Sequence, residues 1–288
     1  WHYQWLVINS FLRTTVGSVT VDDIFGTDHI QVSTESGTRE ITLRNVDLKF
    51  FDWHNKPFIP VEFSVAAYRF GHSLVRPEYE LNATAPPDIP IFSPEPNPGP
   101  MGDLRGFREL PEELQIEWHR FFKFPGEPDE ELQRARLIDT RLAFGLKKLP
   151  KSVVSRPPVS LAERNLKRGK ALGLPSGQAV ARHMGLPEEL VLTGDSLGLP
   201  ATLKDTFGER TPLWYYILRE AGVHQAGQRL GPVGGRIVAE VFLGLLKGDP
   251  FSFLRVEPNW SPGPNEFGAD ENGNFRMRNL LGHAGATV

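Results

Sequence analysis

The sequence contains no cysteine. Disulfides and thiolate metal sites are thereby excluded. A dominant charge is also missing: 32 Lys and Arg stand against 35 Asp and Glu, a net charge of −3. That balance gives no basic footprint for nucleic acid. Long apolar runs are absent too, and none approaches the roughly 20 residues that span a bilayer. No signal peptide opens the chain, but its first residues read as a helix already under way, so this absence carries no weight. What remains is an ordinary globular composition, 40% hydrophobic and 23% charged over 288 residues. Length alone allows one or two domains. No internal repeat and no linker is visible, so a single unit is expected.

His72 lies in the run Tyr68-Arg69-Phe70-Gly71-His72-Ser73-Leu74-Val75-Arg76-Pro77, directly after the apolar stretch Val61 to Ala67. A helix here would set Arg69 three residues before His72 and Arg76 four after it, on one face. Two cations beside an imidazole disfavour its protonation. Neutral imidazole is the metal-binding form, and the same cations could bind cofactor carboxylates. A haem site combines these needs. The alternative is a packed or half-exposed histidine, one of eight in the chain.

The run Arg69-Phe70-Gly71-His72-Ser73-Leu74 resembles the proximal-histidine helix of animal-type haem peroxidases, the peroxidase–cyclooxygenase superfamily. A second segment, Ser160 to Pro175, resembles the family stretch that carries Asn, then Arg three residues on, and ends in Gly-Leu-Pro, here Asn165, Arg168 and Gly173-Leu174-Pro175. The resemblance implies a mainly α, haem-peroxidase-type helical fold and a haem b cofactor. It makes His72 the iron ligand and Asn165 the acceptor of the far N–H of that histidine. Arg69 and Arg168 would neutralise propionates. An acceptor on the second ring nitrogen fixes the tautomer of a metal-bound histidine. Without the resemblance, Asn165 would be read as a solvated position on a charged helix. The absence of cysteine departs from secreted animal members, which are disulfide-bonded, and is closer to a bacterial branch. It leaves the compartment open between cytoplasm and secretion.

Trp1 to Val16 is predicted as a helix, with Trp1, Trp5, Ile8 and Leu12 at helical spacing and Gly17 as its stop. No cap precedes Trp1. In the family, the segments with the distal His and catalytic Arg precede a similar helix. The chain is therefore expected to be the proximal, C-terminal part of one catalytic domain, residues 1–288. Its partner would be an N-terminal distal fragment or a second chain, and His2 is no substitute for the distal His. The implied activity is reduction of hydrogen peroxide with oxidation of a halide or small organic donor. The radical-forming Tyr of the cyclooxygenase relatives would fall at Arg69, one residue after Tyr68, which favours the peroxidase. The other function class is a non-catalytic haem-binding or structural module of the same fold. The resemblance leaves room for calcium but assigns no residue to it.

Elsewhere, alternation over Ile30 to Val46 predicts a small β-hairpin. Val21 to Phe25 reads as a turn or short helix, and Phe58-Ile59-Pro60 as the opening of the His72 helix. Thr84 to Pro100 reads as a surface loop, and Asn82-Ala83-Thr84 fits a glycosylation sequon. Further helices are predicted from Pro111 through Phe122, from Asp129 to Leu142, from Pro158 to Leu172, from Ser176 to Met184 and from Leu213 to Ala221. The longest is Pro232 to Lys247, where Gly234-Gly235 point to close packing. Asp139-Thr140-Arg141 reads as a salt-bridged helix face. His224 is read as a capping or surface residue, and Ser261 to Val288 as a surface wrap.

Overall fold

A wide apolar stripe needs burial on several sides, and the architecture follows from how the two widest stripes are met. The computed structural model describes residues 1–34, 37–52 and 58–286. Residues 35 and 36 of the expected hairpin, and residues 287 and 288, lie outside them. The fold is mainly helical, with two small antiparallel two-stranded sheets.

Helix α1 runs over His2–Leu6, a π-helical stretch Val7–Leu12 and a last turn Arg13–Thr15. Leu6, Ile8, Leu12 and Val16 are buried, whereas Trp1 is exposed. The π turns carry extra residues, so the predicted stripe keeps Ile8 and Leu12 but not Trp1. Gly17 ends the helix at φ 105°, a conformation that glycine alone adopts readily. Helix α2, Ser18–Ile24, leads into strand β1, Phe25–Thr34. This strand pairs with β2, Gly37–Val46, from Phe25 opposite Val46 to Thr34 opposite Gly37. The hairpin thus begins five residues before the predicted Ile30.

Helix α3 carries His72 and changes pitch twice. It is π-helical over Glu62–Ala66, 3-10 over Ala67–Phe70 and α over Gly71–Leu74, with a break at Ala66 (φ −123°, ψ −73°). Phe63, Val65, Ala66, Ala67 and Phe70 are buried. The helix stops at Val75, whose φ −68° and ψ 127° are extended. Arg76 is therefore not on its face, a correction to the sequence expectation. Pro77 disfavours helical geometry in the residue before it. The Arg76 Nη1 donates instead to the Arg134 carbonyl at 3.2 Å.

Residues 75–160 are mostly irregular. Strands β3, Glu78–Tyr79, and β4, Ile89–Pro90, pair antiparallel. The helices expected from Pro111 and Asp129 do not form. Single 3-10 turns stand at Glu112–Leu114, Trp118–Arg120 and Asp129–Glu131. Prolines at 125 and 128 interrupt the run. Leu114, Ile116 and Phe121 pack on Leu81, Ala85 and Ile89 in a small separate core, not along a helical stripe. Ile89 and Ala85 are buried, so the expected surface loop contributes to that core. Asp139 Oδ1 accepts from the Arg141 backbone N–H at 2.7 Å, a local turn where a helix face was expected. The Asn82 side chain is tied to Glu113, Gln115, Thr84 and Ala85.

Helix α4, Leu161–Ala171, has Ser160 at its cap, and α5, Gly177–His183, has Ser176 accepting from the Ala179 N–H at 3.2 Å. Helices α6, Ala201–Phe207, α7, Leu213–Gln225, and α8, Pro232–Gly248, follow. Helices α7 and α8 form the centre of the main core, with α1 and α3 against them. A Cβ at Gly234 would lie 2.5 Å from Ile217 Cγ2, and one at Gly235 3.0 Å from Val16 Cγ1. The glycine pair thus lets α8 approach its neighbours closely. Buried Glu220 on α7 accepts from the Val233 and Gly234 N–H groups, satisfying the first turn of α8. The final stretch does more than wrap the surface. It forms helix α9, Met277–His283, and buries Ala269 and Phe275 against Leu6.

Candidate functional site

Three of the four residues singled out from sequence meet in one hydrogen-bonded chain. Arg69 Nη1 donates to Asn165 Oδ1 at 3.1 Å, and Asn165 Nδ2 lies 3.1 Å from His72 Nδ1. Helix α3 supplies Arg69 and His72, and α4 supplies Asn165. Arg69 is fixed further by its Nε, which donates to the Ser64 carbonyl at 3.0 Å where the helix changes pitch. Trp214 Nε1 on α7 donates to the Arg69 carbonyl at 3.3 Å. Ser73 Oγ donates to the Phe70 carbonyl at 2.8 Å. The turn that presents His72 is thus held by bonds within α3 and by contacts from α4 and α7.

Asn165 is 2% exposed and is the one buried residue of α4. A buried amide keeps its place only when its donors and acceptor are met. The solvated position that charge alone suggests is therefore corrected. Charge spacing gave no clear local signal for this, because the uncharged positions of the helix include the exposed Leu166. The contact of Arg69 with Asn165 had no local signal, because the two stand 96 residues apart.

Donor and acceptor chemistry fixes the polarity of the chain. A guanidinium only donates, so the Asn165 oxygen faces Arg69 and its NH2 faces the imidazole. His72 Nδ1 then accepts, and the proton of the neutral ring sits on Nε2. Burial is the first cause that holds His72 below its ordinary value of 6.5, and the Arg69 charge is the second. The sequence expected two cations to keep the ring neutral; Arg69 does so together with burial. The expected pairing, with Asn165 accepting from the ring N–H, is reached by a half-turn of the amide. It requires Arg69 to have another acceptor.

Arg168 lies one turn beyond Asn165 and is exposed. Burial, and then the Arg168 charge, draw Arg69 below its usual value. Among the described residues neither guanidinium has a carboxylate partner. Two like charges with no counter-ion, beside a neutral imidazole, fit a ligand that brings carboxylates. Among the described residues no group of three or more His, Cys, Asp or Glu could hold a metal ion.

Neither a protein-family model nor a curated protein matches this chain. Other histidines have structural roles. His224 lies in the last turn of α7 and pairs with the Leu190 carbonyl at 3.1 Å. The His2 ring packs on Trp260, Phe267 and Phe275, and its Nε2 is 3.1 Å from Glu266. Among the described residues no helix is long and apolar enough to cross a membrane. One cavity of about 370 Å³ lies between α5 and α8, lined by His183, Met184 and Ile237. Another, of about 520 Å³, opens beside Asn165 and Trp214. His72 lines neither.

Proposed function

We propose that this chain is the proximal part of a haem peroxidase domain, with His72 as the protein ligand to iron. The observation that carries the reading is the buried Asn165, held between the half-buried His72 and Arg69. Bound haem b would supply the iron chemistry that reduces hydrogen peroxide and oxidises a halide or small organic donor. His72 would hold the iron through Nε2, the ring nitrogen that faces away from Asn165. Asn165 would keep the ring oriented and its tautomer fixed. Arg69 and Arg168 would pair with propionates, charge-assisted contacts stronger than neutral ones. Once Arg69 turns to a carboxylate, the Asn165 oxygen is free to accept from His72 Nδ1–H, which leaves Nε2 unprotonated for the metal.

The peroxide chemistry that haem would supply would also need an acid–base group to move a proton. We assign that role to residues outside this chain, on an N-terminal distal fragment or a second polypeptide. The test is electron paramagnetic resonance of the haem-reconstituted protein and of His72→Gly with and without free imidazole. Loss of the axial nitrogen signature in the variant, with recovery on adding imidazole, is the expected result. A signature indifferent to the substitution would overturn the assignment.

A further inference from the structure

The 520 Å³ cavity beside α4 has a chemistry of its own. Its walls are Val65, Leu174, Phe207, Pro212, Leu213 and Trp214. Val65, Leu213 and Trp214 are at most 6% exposed, so that side of the cavity is set by buried residues. Phe207, Trp214 and the prolines at 175 and 212 bring rings to its lining. Flat apolar faces favour stacking with an aromatic ring. The volume falls in the range of small-molecule sites, about 300–1,000 Å³.

The rim is cationic. Lys167, Lys170 and Arg210 line it, and no Asp or Glu does. Lys167 is engaged, 2.8 Å from Glu163. Lys170 and Arg210 have no carboxylate partner among the described residues. Apolar depth with unpaired cations at the mouth selects a ligand with an apolar body and one anionic end. A neutral ligand would leave those cations unused, and a cationic one would be repelled.

We infer that this cavity is a binding site for an aromatic monoanion, its ring between Phe207 and Trp214 and its acid group at Lys170 and Arg210. The site stands independently of haem at His72. It is nonetheless connected to it. Trp214 bonds the Arg69 carbonyl, and Asn165 lines the same cavity while holding the imidazole.

The test uses the full chain without haem, and 2-naphthoate as the probe. Calorimetry gives affinity and stoichiometry, and tryptophan fluorescence compared with Trp214→Phe reports contact with that ring. Expected are one site, a fluorescence change lost in Trp214→Phe, and binding about tenfold weaker in Lys170→Glu/Arg210→Glu, equivalent to about 1.4 kcal/mol. Gly169→Phe, which fills the cavity from an α4 position with room for a side chain, should abolish binding. Circular dichroism checks that all three variants fold. Equal affinity for 2-naphthylmethanol or 2-naphthylmethylamine would overturn the anion selectivity. No binding, or binding unchanged by Gly169→Phe, would overturn the site, as would sedimentation showing a dimer that covers this face.

Discussion

Removing the Asn165 side chain should cost about 2 kcal/mol of stability even in the absence of any ligand. The Asn165→Ala variant loses a hydrogen bond from a charged donor, Arg69, and one to a neutral ring, His72. Such bonds contribute about 1.5–3 and about 1 kcal/mol respectively. Arg69 keeps its bond to the Ser64 carbonyl, and both partners are only half-buried, so water replaces part of the loss. Alanine also gains roughly half a kcal/mol of helix propensity over asparagine. The balance falls near 2 kcal/mol, measured by urea unfolding against Arg168→Ala, an exposed control expected within about 0.5 kcal/mol of the parent. Asn165→Asp separates polarity from packing. A carboxylate beside the ring favours its protonated form, so the His72 titration followed by NMR should move up further in Asp than in Ala, where only the bond to the neutral ring and part of the burial are lost. A stability loss under about 0.5 kcal/mol for Ala, or a His72 titration that is the same in both variants, would refute the bonded chain.

His72 is held below 6.5, so between its folded value and 6.5 the unfolded chain binds the extra proton. Stability from this group therefore falls as pH drops below 6.5 and is flat above it; urea midpoints of His72→Gln should lose that slope. Glu220 acts in the opposite sense. Burial pushes its carboxyl up from 4.5 to about 7, so its contribution is present at low pH and lost as pH rises from 4.5 through 7. The loss is on the order of 3 kcal/mol, and Glu220→Gln should remove it, a change that parallel pH–stability curves would show. Two glycine substitutions should differ in sign by calorimetric melting. Gly234→Ala should destabilise by about 1–2 kcal/mol, because its Cβ meets the buried Ile217. Gly222→Ala, in open space on α7, should stabilise by about 0.5–1 kcal/mol.

The helices that proved legible are those whose signals agree. Helix α8 combines a broad apolar stripe with Pro232 at its start and Asp249-Pro250 after its end. Helix α5 has its serine cap. Helix α4 has its serine as well, yet charge hid its inner face, and only the family resemblance pointed to Asn165. Residues 111–142 misled because apolar residues near helical spacing fill a small local core between proline breaks. Arg76 was misread although Pro77 already marked the helix end. His72, Arg69 and Asn165 were each visible as single residues. The order of their hydrogen bonds was not, because it depends on α4 meeting α3 across 96 residues and on a pitch change that no local pattern encodes.

Titration of the protein with ferric haem, followed by absorption and compared with His72→Ala, tests the central claim most directly. A ferric haem band at one haem per chain in the parent, lost or shifted in the variant, is the result expected if His72 is the ligand. A band that ignores the substitution, or no band in either protein, would contradict it.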